Sequence, residues 1–371
     1  MPTPRQTVES ILAHADIKLD GDHPWDIQLH NEETLRRTLA HGSLGFGEAY
    51  MDGWWDCDDL EEMLTRVFCA KLHETVGMTS AAAASLKARI INPWRKSQSH
   101  KIGEHHYDIG NDLYKAMLDK RMVYTCGYWK DAPTLDEAQE AKLDLVCRKI
   151  GLKQGMTVLD IGGGWGSFAK FAAEKYGARV TAITVSKEQV ALGQALCKGL
   201  PIEIRLQDYR DVEGTFDRIV SLGMFEHVGY KNYALFMHKV HDLLKDDGLF
   251  LLHTIGANRS RTSNNPWIEK YIFPNSMLPS IAQIGRAIEK RFVMEDWHNF
   301  GCDYVLTLRA WHANIEAAWG SLSATRYDKR FRRMWRFYLL SSAATFRSRS
   351  NQLWQVVLSK EGVPSGYRAI R

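Results

Sequence analysis

The sequence predicts an α/β chain built on a doubly wound, mainly parallel sheet, with a smaller and mainly helical N-terminal domain. Three observations predict it. From Gly155 onward short apolar runs alternate with longer amphipathic stretches, the pattern of a sheet covered by helices. The first of those runs leads into a glycine-rich turn that opens a helix, as in doubly wound folds. Before Gly155 helical periodicity dominates instead.

Taken in order, the first hundred residues carry helical periodicity with glycine turns such as Gly42-Ser-Leu-Gly-Phe-Gly47, then an Ala-rich helix at Ser80 to Ile91. The polar, basic stretch Pro93 to Gly103 reads as a linker. The expected organisation is a helical domain at 1–92, a linker at 93–104 and the sheet-bearing domain at 105–371. The first strand is Thr157-Val-Leu-Asp-Ile161, followed by Gly162-Gly-Gly-Trp-Gly166 and a helix to about Tyr176. Further strands are expected at Arg179 to Thr184, Ile202 to Leu206, Phe216 to Leu222 and Gly248 to Ile255. Asp303 to Trp319 places Tyr304, Leu308, Trp311 and Ile315 on one helical face, and Lys329 to Arg347 does the same with Phe331, Trp335, Tyr338 and Leu339. These aromatic stripes read as core rather than as a ligand cage. Gln352 to Leu358 alternates as a closing strand.

At 371 residues, 45% apolar and 25% charged, the chain can bury a large core. Lys and Arg outnumber Asp and Glu by 48 to 44, with no basic stripe, which disfavours a nucleic-acid partner. The six cysteines, Cys57, Cys69, Cys126, Cys147, Cys197 and Cys302, are scattered, as suits a reduced cytoplasm better than a disulfide framework or a metal site. Met1 to Glu9 has no apolar stretch, so no secretory signal is expected there. No run reaches the roughly 18 apolar residues of a spanning helix, so any membrane contact is expected to be peripheral.

Chemistry enters at Asp160-Ile-Gly-Gly-Gly-Trp-Gly166. Glycines after a strand let a ligand approach the backbone, and the following helix offers free N–H groups. A dinucleotide site is the obvious rival, but there an acidic residue is expected at the end of the second strand, where this chain has Thr184, Ser186 and Gln189. The pattern favours a nucleoside with a methionine tail: a class I S-adenosylmethionine-dependent methyltransferase, whose doubly wound sheet has seven strands. The loop residues Asp160, Gly162, Gly164 and Gly166 would line that site. After the third strand, Asp208 and Tyr209 could bracket an adenine, one at its exocyclic amine and one at its ring face.

The chain resembles the cyclopropane-fatty-acyl-phospholipid synthases, within the mycolic acid cyclopropane synthase superfamily. The resemblance rests on Gly42 to Trp55, His106 to Tyr114, Tyr124-Thr-Cys-Gly-Tyr-Trp129, Gly223-Met-Phe-Glu-His-Val-Gly229, Leu252-His-Thr-Ile-Gly256, Pro266 to Asn275 and Gln352-Leu-Trp-Gln-Val-Val357. It implies methyl transfer from S-adenosylmethionine to a cis double bond of an unsaturated acyl chain, then proton loss and closure of a cyclopropane ring. It implies cofactor contacts at Tyr124, Thr125, the loop Leu159 to Gly166, Thr184, Gln189, Asp208 and Tyr209. It also implies a bicarbonate ion held by Cys126, Glu226, His253, Ile255 and Tyr304, and no metal. Taken singly, Glu226 could be a helix-start residue, His253 a satisfied core histidine and Cys126 a small hydrophobe.

An alkene attacking a methyl sulfonium leaves a carbocation, so the site must exclude water and tolerate positive charge. Tyr124, Tyr271 and Tyr304 are candidates for that support, and bicarbonate for the base. Two departures from the relatives stand out. Gly163 replaces a common loop Cys, and Ser341-Ser342 replaces a late-helix Cys, so covalent catalysis there is not expected. The rivals are a fatty-acid methyltransferase that leaves a methyl or methylene branch, and a membrane-docking lipid-binding protein with a vestigial catalytic half. The resemblance further implies a homodimer acting peripherally at the phospholipid bilayer, on the cytoplasmic side of the inner membrane face, with the N-terminal domain docking on lipid.

Overall fold

The computed structural model describes residues 2–75 and 109–371. The helix expected at Ser80 to Ile91 and the linker at 93–104 lie outside the described residues, as does the start of the 105–371 domain. The chain forms two compact units that interleave along the sequence, rather than the contiguous domains expected from it. One joins Met1–Ile91 to Thr262–Pro274 and Tyr304–Asn351; the other joins Asn92–Arg261, Asn275–Asp303 and Gln352–Arg371.

The first unit packs helices Glu33–Met51, Leu60–Cys69, Asp303–Ala318 and Lys329–Arg347 beside a two-residue antiparallel ladder, β1 (Gln28–Leu29) with β2 (Trp55–Asp56). The segment Gly42 to Gly47 lies within the helix Glu33–Met51, where sequence predicts a turn. Gly42 alone breaks the helical geometry, with φ 56° and ψ −134°. The other glycines serve contact: a Cβ at Gly47 would lie 2.5 Å from the Trp267 ring. Trp55 is fully buried and stacks on Phe46 at 4.2 Å. Glu61 receives both arms of Arg309 at 2.8 and 2.6 Å, and Glu48 receives Arg37, Lys270 and Tyr271 at 2.6, 2.6 and 2.8 Å.

The second unit holds a seven-stranded sheet: β3 (Thr157–Ile161), β4 (Arg179–Thr184), β5 (Ile202–Leu206), β6 (Phe216–Leu222), β7 (Leu244–Ala257), β8 (Val293–Asn299) and β9 (Asn351–Ser359), in the order β5-β4-β3-β6-β7-β9-β8. Strands β3 to β7 run parallel, and β8 pairs antiparallel with β9. Period-2 alternation feeds two cores. Leu159, Ile219, Phe250 and Val356 pack on one face; Val158, Val220, Leu251 and Val357 pack on the other. Helix Leu135–Lys149 joins the second of these cores through Leu143 and Val146; its N-terminus is capped by Thr134, with acidic residues in the first turn and basic ones in the last. β8 escaped the sequence pattern because it is a polar edge strand, Val-Met-Glu-Asp-Trp-His-Asn.

Candidate active site

The chain winds from β3 outward to β5, then returns to β6 on the other side of β3, so the ligand crevice of such a sheet lies beyond the carboxyl ends of β3 and β6. Backbone packs closely there. A Cβ at Gly162 would meet Met224 at 2.6 Å, and one at Gly223 would meet Thr125 Cγ2 at 2.8 Å. Gly162, Gly164 and Gly166 all hold positive φ (86°, 57° and 84°), and Gly166 caps the helix Ser167–Tyr176. At Gly164 an added Cβ would find, among the described residues, only Gln189 Nε2, 4.0 Å away, which leaves that backbone approachable by a ligand. At Gly163 it would strike Ala182 Cβ at 2.8 Å. A cysteine side chain at this position would have little room here.

Asp160 is buried at the end of β3, and neither carboxylate oxygen has a hydrogen-bond partner among the described residues. Burial pushes its carboxyl up to about 7, although the charge of Lys142 opposes the rise. A buried carboxylate with both oxygens unsatisfied suits a cationic ligand group such as the ammonium of a methionine tail. Thr184 donates to Gln189 Oε1 at 2.6 Å, and Ser186 caps the helix Lys187–Leu196, fixing the turn after β4. Asp208 accepts from Arg210 N at 3.0 Å and begins a short 3₁₀ turn, while Tyr209 is buried against Phe236 in the core. Tyr124 meets Tyr114 edge-on, and Tyr114 in turn lies 5.1 Å from Trp165 of the loop.

The candidate anion site forms around β6 and β7. Glu226, in a 3₁₀ turn just past β6, accepts from Ile255 N at 2.7 Å through Oε1, while Oε2 has no partner among the described residues. Burial pushes its carboxyl up to about 7, against the opposing bond from Ile255. His253, two residues before Ile255 on β7, is 1% exposed. Gln355 Nε2 lies 3.3 Å from its Nδ1, and its Nε2 has no partner among the described residues. Burial, with the charges of Lys142 and Lys149, holds His253 well below the usual imidazole range. Cys126 is fully buried and donates to the Gly127 carbonyl at 3.1 Å. Tyr304 belongs to the first unit, its ring tilted 31° against Phe346 at 4.5 Å, as does Tyr271, whose hydroxyl donates to Glu48.

Sequence inspection missed a buried polar layer beneath helix Leu135–Lys149. Gln139, Lys142 and Lys149 are all 0% exposed. Gln139 donates to the Thr125 carbonyl at 2.7 Å and Lys142 to the Thr125 hydroxyl at 2.8 Å, so both hold a residue of the candidate cofactor site. Lys149 reaches His298 Nδ1 at 2.9 Å and Asp296 at 3.7 Å. Burial lowers Lys142 to about 8 and Lys149 to about 7. A signal existed: Gln139, Lys142, Val146 and Lys149 share one helical stripe on the apolar side, where long polar residues need buried partners.

Sheet order, glycine loop and an acidic strand end define a class I S-adenosylmethionine-dependent methyltransferase. The chain belongs to the mycolic acid cyclopropane synthetase family, whose model matches residues 94–356. It is 48% identical over 362 residues to the cyclopropane-fatty-acyl-phospholipid synthase of Escherichia coli (strain K12), covering 97% of this chain and 94% of that one. It is 34% identical over 360 residues to the tuberculostearic acid methyltransferase of Mycobacterium tuberculosis, covering 91% and 83% of the two chains. The crystal structure of mycolic acid cyclopropane synthase CmaA1 complexed with SAH and CTAB superposes with a TM-score of 0.65 at 32% identity, over 70% of this chain and 98% of that one.

Proposed function

We propose that this chain transfers a methylene from S-adenosylmethionine to the cis double bond of unsaturated phospholipid acyl chains, leaving a cyclopropane ring. The observation that carries this reading is the near full-length similarity to the Escherichia coli synthase, 48% over 97% of the chain. S-adenosylmethionine supplies an electrophilic methyl group on a sulfonium. The loop Asp160 to Gly166, with Tyr124, Thr125, Thr184, Gln189, Asp208 and Tyr209, would hold it. The electron pair of the double bond forms a bond to the methyl carbon as the S–CH₃ bond breaks and S-adenosylhomocysteine leaves, and a carbocation remains on the acyl chain. One proton leaves the new methyl, and its C–H electron pair closes the ring.

The base we assign is bicarbonate, held by Glu226 and His253 with the Cys126 and Ile255 backbones. Support comes from two buried side chains, Glu226 and His253, each with one polar atom lacking a partner among the described residues. A protonated Glu226 and an Nε2–H on His253 are donors suited to an anion in a dry site. Tyr124 is proposed to stabilise the cation, by about 0.5 to 2 kcal/mol when desolvated. Action at a bilayer surface, as a homodimer on the cytoplasmic side, is the setting the family resemblance supports. No helix among the described residues is long and apolar enough to cross a membrane.

The test is incubation with labelled S-adenosylmethionine and vesicles of unsaturated phospholipid. A gain of one CH₂ in the lipid, with the high-field proton resonances of a three-membered ring, is expected. The same gain without ring resonances would indicate the branched product instead, and no gain would overturn the proposal. With His253→Ala or Glu226→Gln, product formation at the full rate would remove the anion assignment.

A further inference from the structure

Gln355 lies within the block Gln352-Leu-Trp-Gln-Val-Val357, to which the reaction above gives no role. It stands on β9 opposite His298 of β8 and is 0% exposed. Its Nε2 is 3.3 Å from Nδ1 of His253. In this orientation of the amide the NH₂ donates and cannot accept, so Nδ1 is the acceptor and a neutral ring carries its proton on Nε2. We propose that Gln355 is a positioning residue for this reaction, locking His253 in the Nε2–H form so that this atom donates to the anion shared with Glu226. The inference rests on the reading of Glu226 and His253 as the pair that holds the anion.

Nothing else described fixes the ring's proton. His253 Nε2 has no partner among the described residues, so the bond at Nδ1 alone selects the tautomer. Protonating the ring would also yield an Nε2–H donor, but His253 is buried and feels the charges of two buried lysines, Lys142 and Lys149. The donor therefore has to come from tautomer choice. The register of β9 sets Gln355 against His298, which Lys149 engages at 2.9 Å, while the amide's own Oε1 has no partner among the described residues, so its one hydrogen bond is the one to His253.

A merely structural Gln355 would affect stability alone, whereas a tautomer lock also affects a spectrum and one kinetic constant. In full-length protein with nitrogen-isotope-labelled histidine, His253 should show a protonated Nε2 and a bare Nδ1. Gln355→Met, of similar shape but without the donor, should show both tautomers. It should raise the bicarbonate concentration giving half-maximal rate about tenfold, the effect of losing one hydrogen bond of roughly 1.4 kcal/mol, and leave the KM for S-adenosylmethionine unchanged. A wild-type His253 protonated at Nδ1 would overturn the inference, and this spectrum decides even if the variant fails to fold. So would a folded Gln355→Met protein with the wild-type spectrum or the wild-type bicarbonate dependence. Failure of the underlying reading looks different: His253→Ala then keeps the full rate, while the resting-state spectrum is unaffected by that outcome.

Discussion

Glu226 is buried, and its carboxyl rises from 4.5 to about 7 on folding because the ionised form loses water that the Ile255 N–H only partly replaces. Between those two values the native chain keeps a proton that the unfolded chain has released. The stability linked to this group is therefore fully present below 4.5 and lost as the pH climbs through about 7. The loss is on the order of 3 kcal/mol. Glu226→Gln keeps the shape and the acceptor for Ile255 but never ionises. We expect it to unfold at the same urea concentration as the parent below 4.5 and at a distinctly higher one above about 7, with methyl transfer down about a hundredfold. Asp160 shifts in the same direction but is present in both proteins, so it cancels. Equal urea midpoints at high pH would refute a buried, reluctantly ionised Glu226. Such residues were legible because short blocks carry them: the loop around Asp160, the segment with Glu226, the strand with His253. Gln139 and Lys142 were not, and Gln355 stood in a block that did not show its role, since a polar residue inside an apolar pattern reveals its partner only when the chain closes around it.

Elements follow the same rule. The strands at 157–161, 179–184 and 216–222 stand where apolar runs predict them, because interior parallel strands are buried on both faces; the edge strand at 202–206 also stands where expected, with Ile204 alone fully buried. β7 begins earlier than expected, at Leu244. Its pairing with β6 jumps from Phe216–Leu244 to Arg218–Leu249, so the polar residues Lys245 to Gly248 bulge between apolar ends, and Lys245 pairs with Asp217 at 2.6 Å. Polar β8 carries no such run, and only its partner β9 makes it a strand. Beside β9, Gly256 of β7 is required by contact: its added Cβ would fall 2.0 Å from the Trp354 ring, which is 1% exposed. Gly256→Ala must displace that indole or shift the sheet, and overpacking of this kind costs about 1 to 3 kcal/mol. A matching fall in urea midpoint is expected, with partial recovery in Gly256→Ala/Trp354→Leu. Wild-type stability of the single variant would mean that β7 and β9 are not packed as described.

At the scale of the whole molecule, length and periodicity indicate a helical N-terminal part but not its partners, because contacts across more than two hundred residues leave no local trace. The first unit recruits Thr262–Pro274 and Tyr304–Asn351. Trp267, 1% exposed, fits against Gly47 and donates to the Met51 sulfur at 3.3 Å. Phe337, 6% exposed, packs on Trp55 and Tyr50, and Arg333 donates to the Trp55 carbonyl at 2.8 Å. Arg309 depends on Glu61, and Lys270 on Glu48. A fragment of residues 105–371 would retain the recruited segments and lose every one of these partners. Each large side chain uncovered costs on the order of 2 kcal/mol, a serious loss against the 5 to 15 kcal/mol typical of a native fold. The fragment is therefore expected to bind a hydrophobic dye, and its melting should be broad and well below that of the full chain. Adding back a peptide of residues 1–75 should reduce the dye signal, since it restores Trp55, Glu48 and Glu61. A fragment that is monomeric, silent toward the dye and as cooperative in melting as the parent would show that 105–371 stands alone and that the interleaved unit contributes little to its stability.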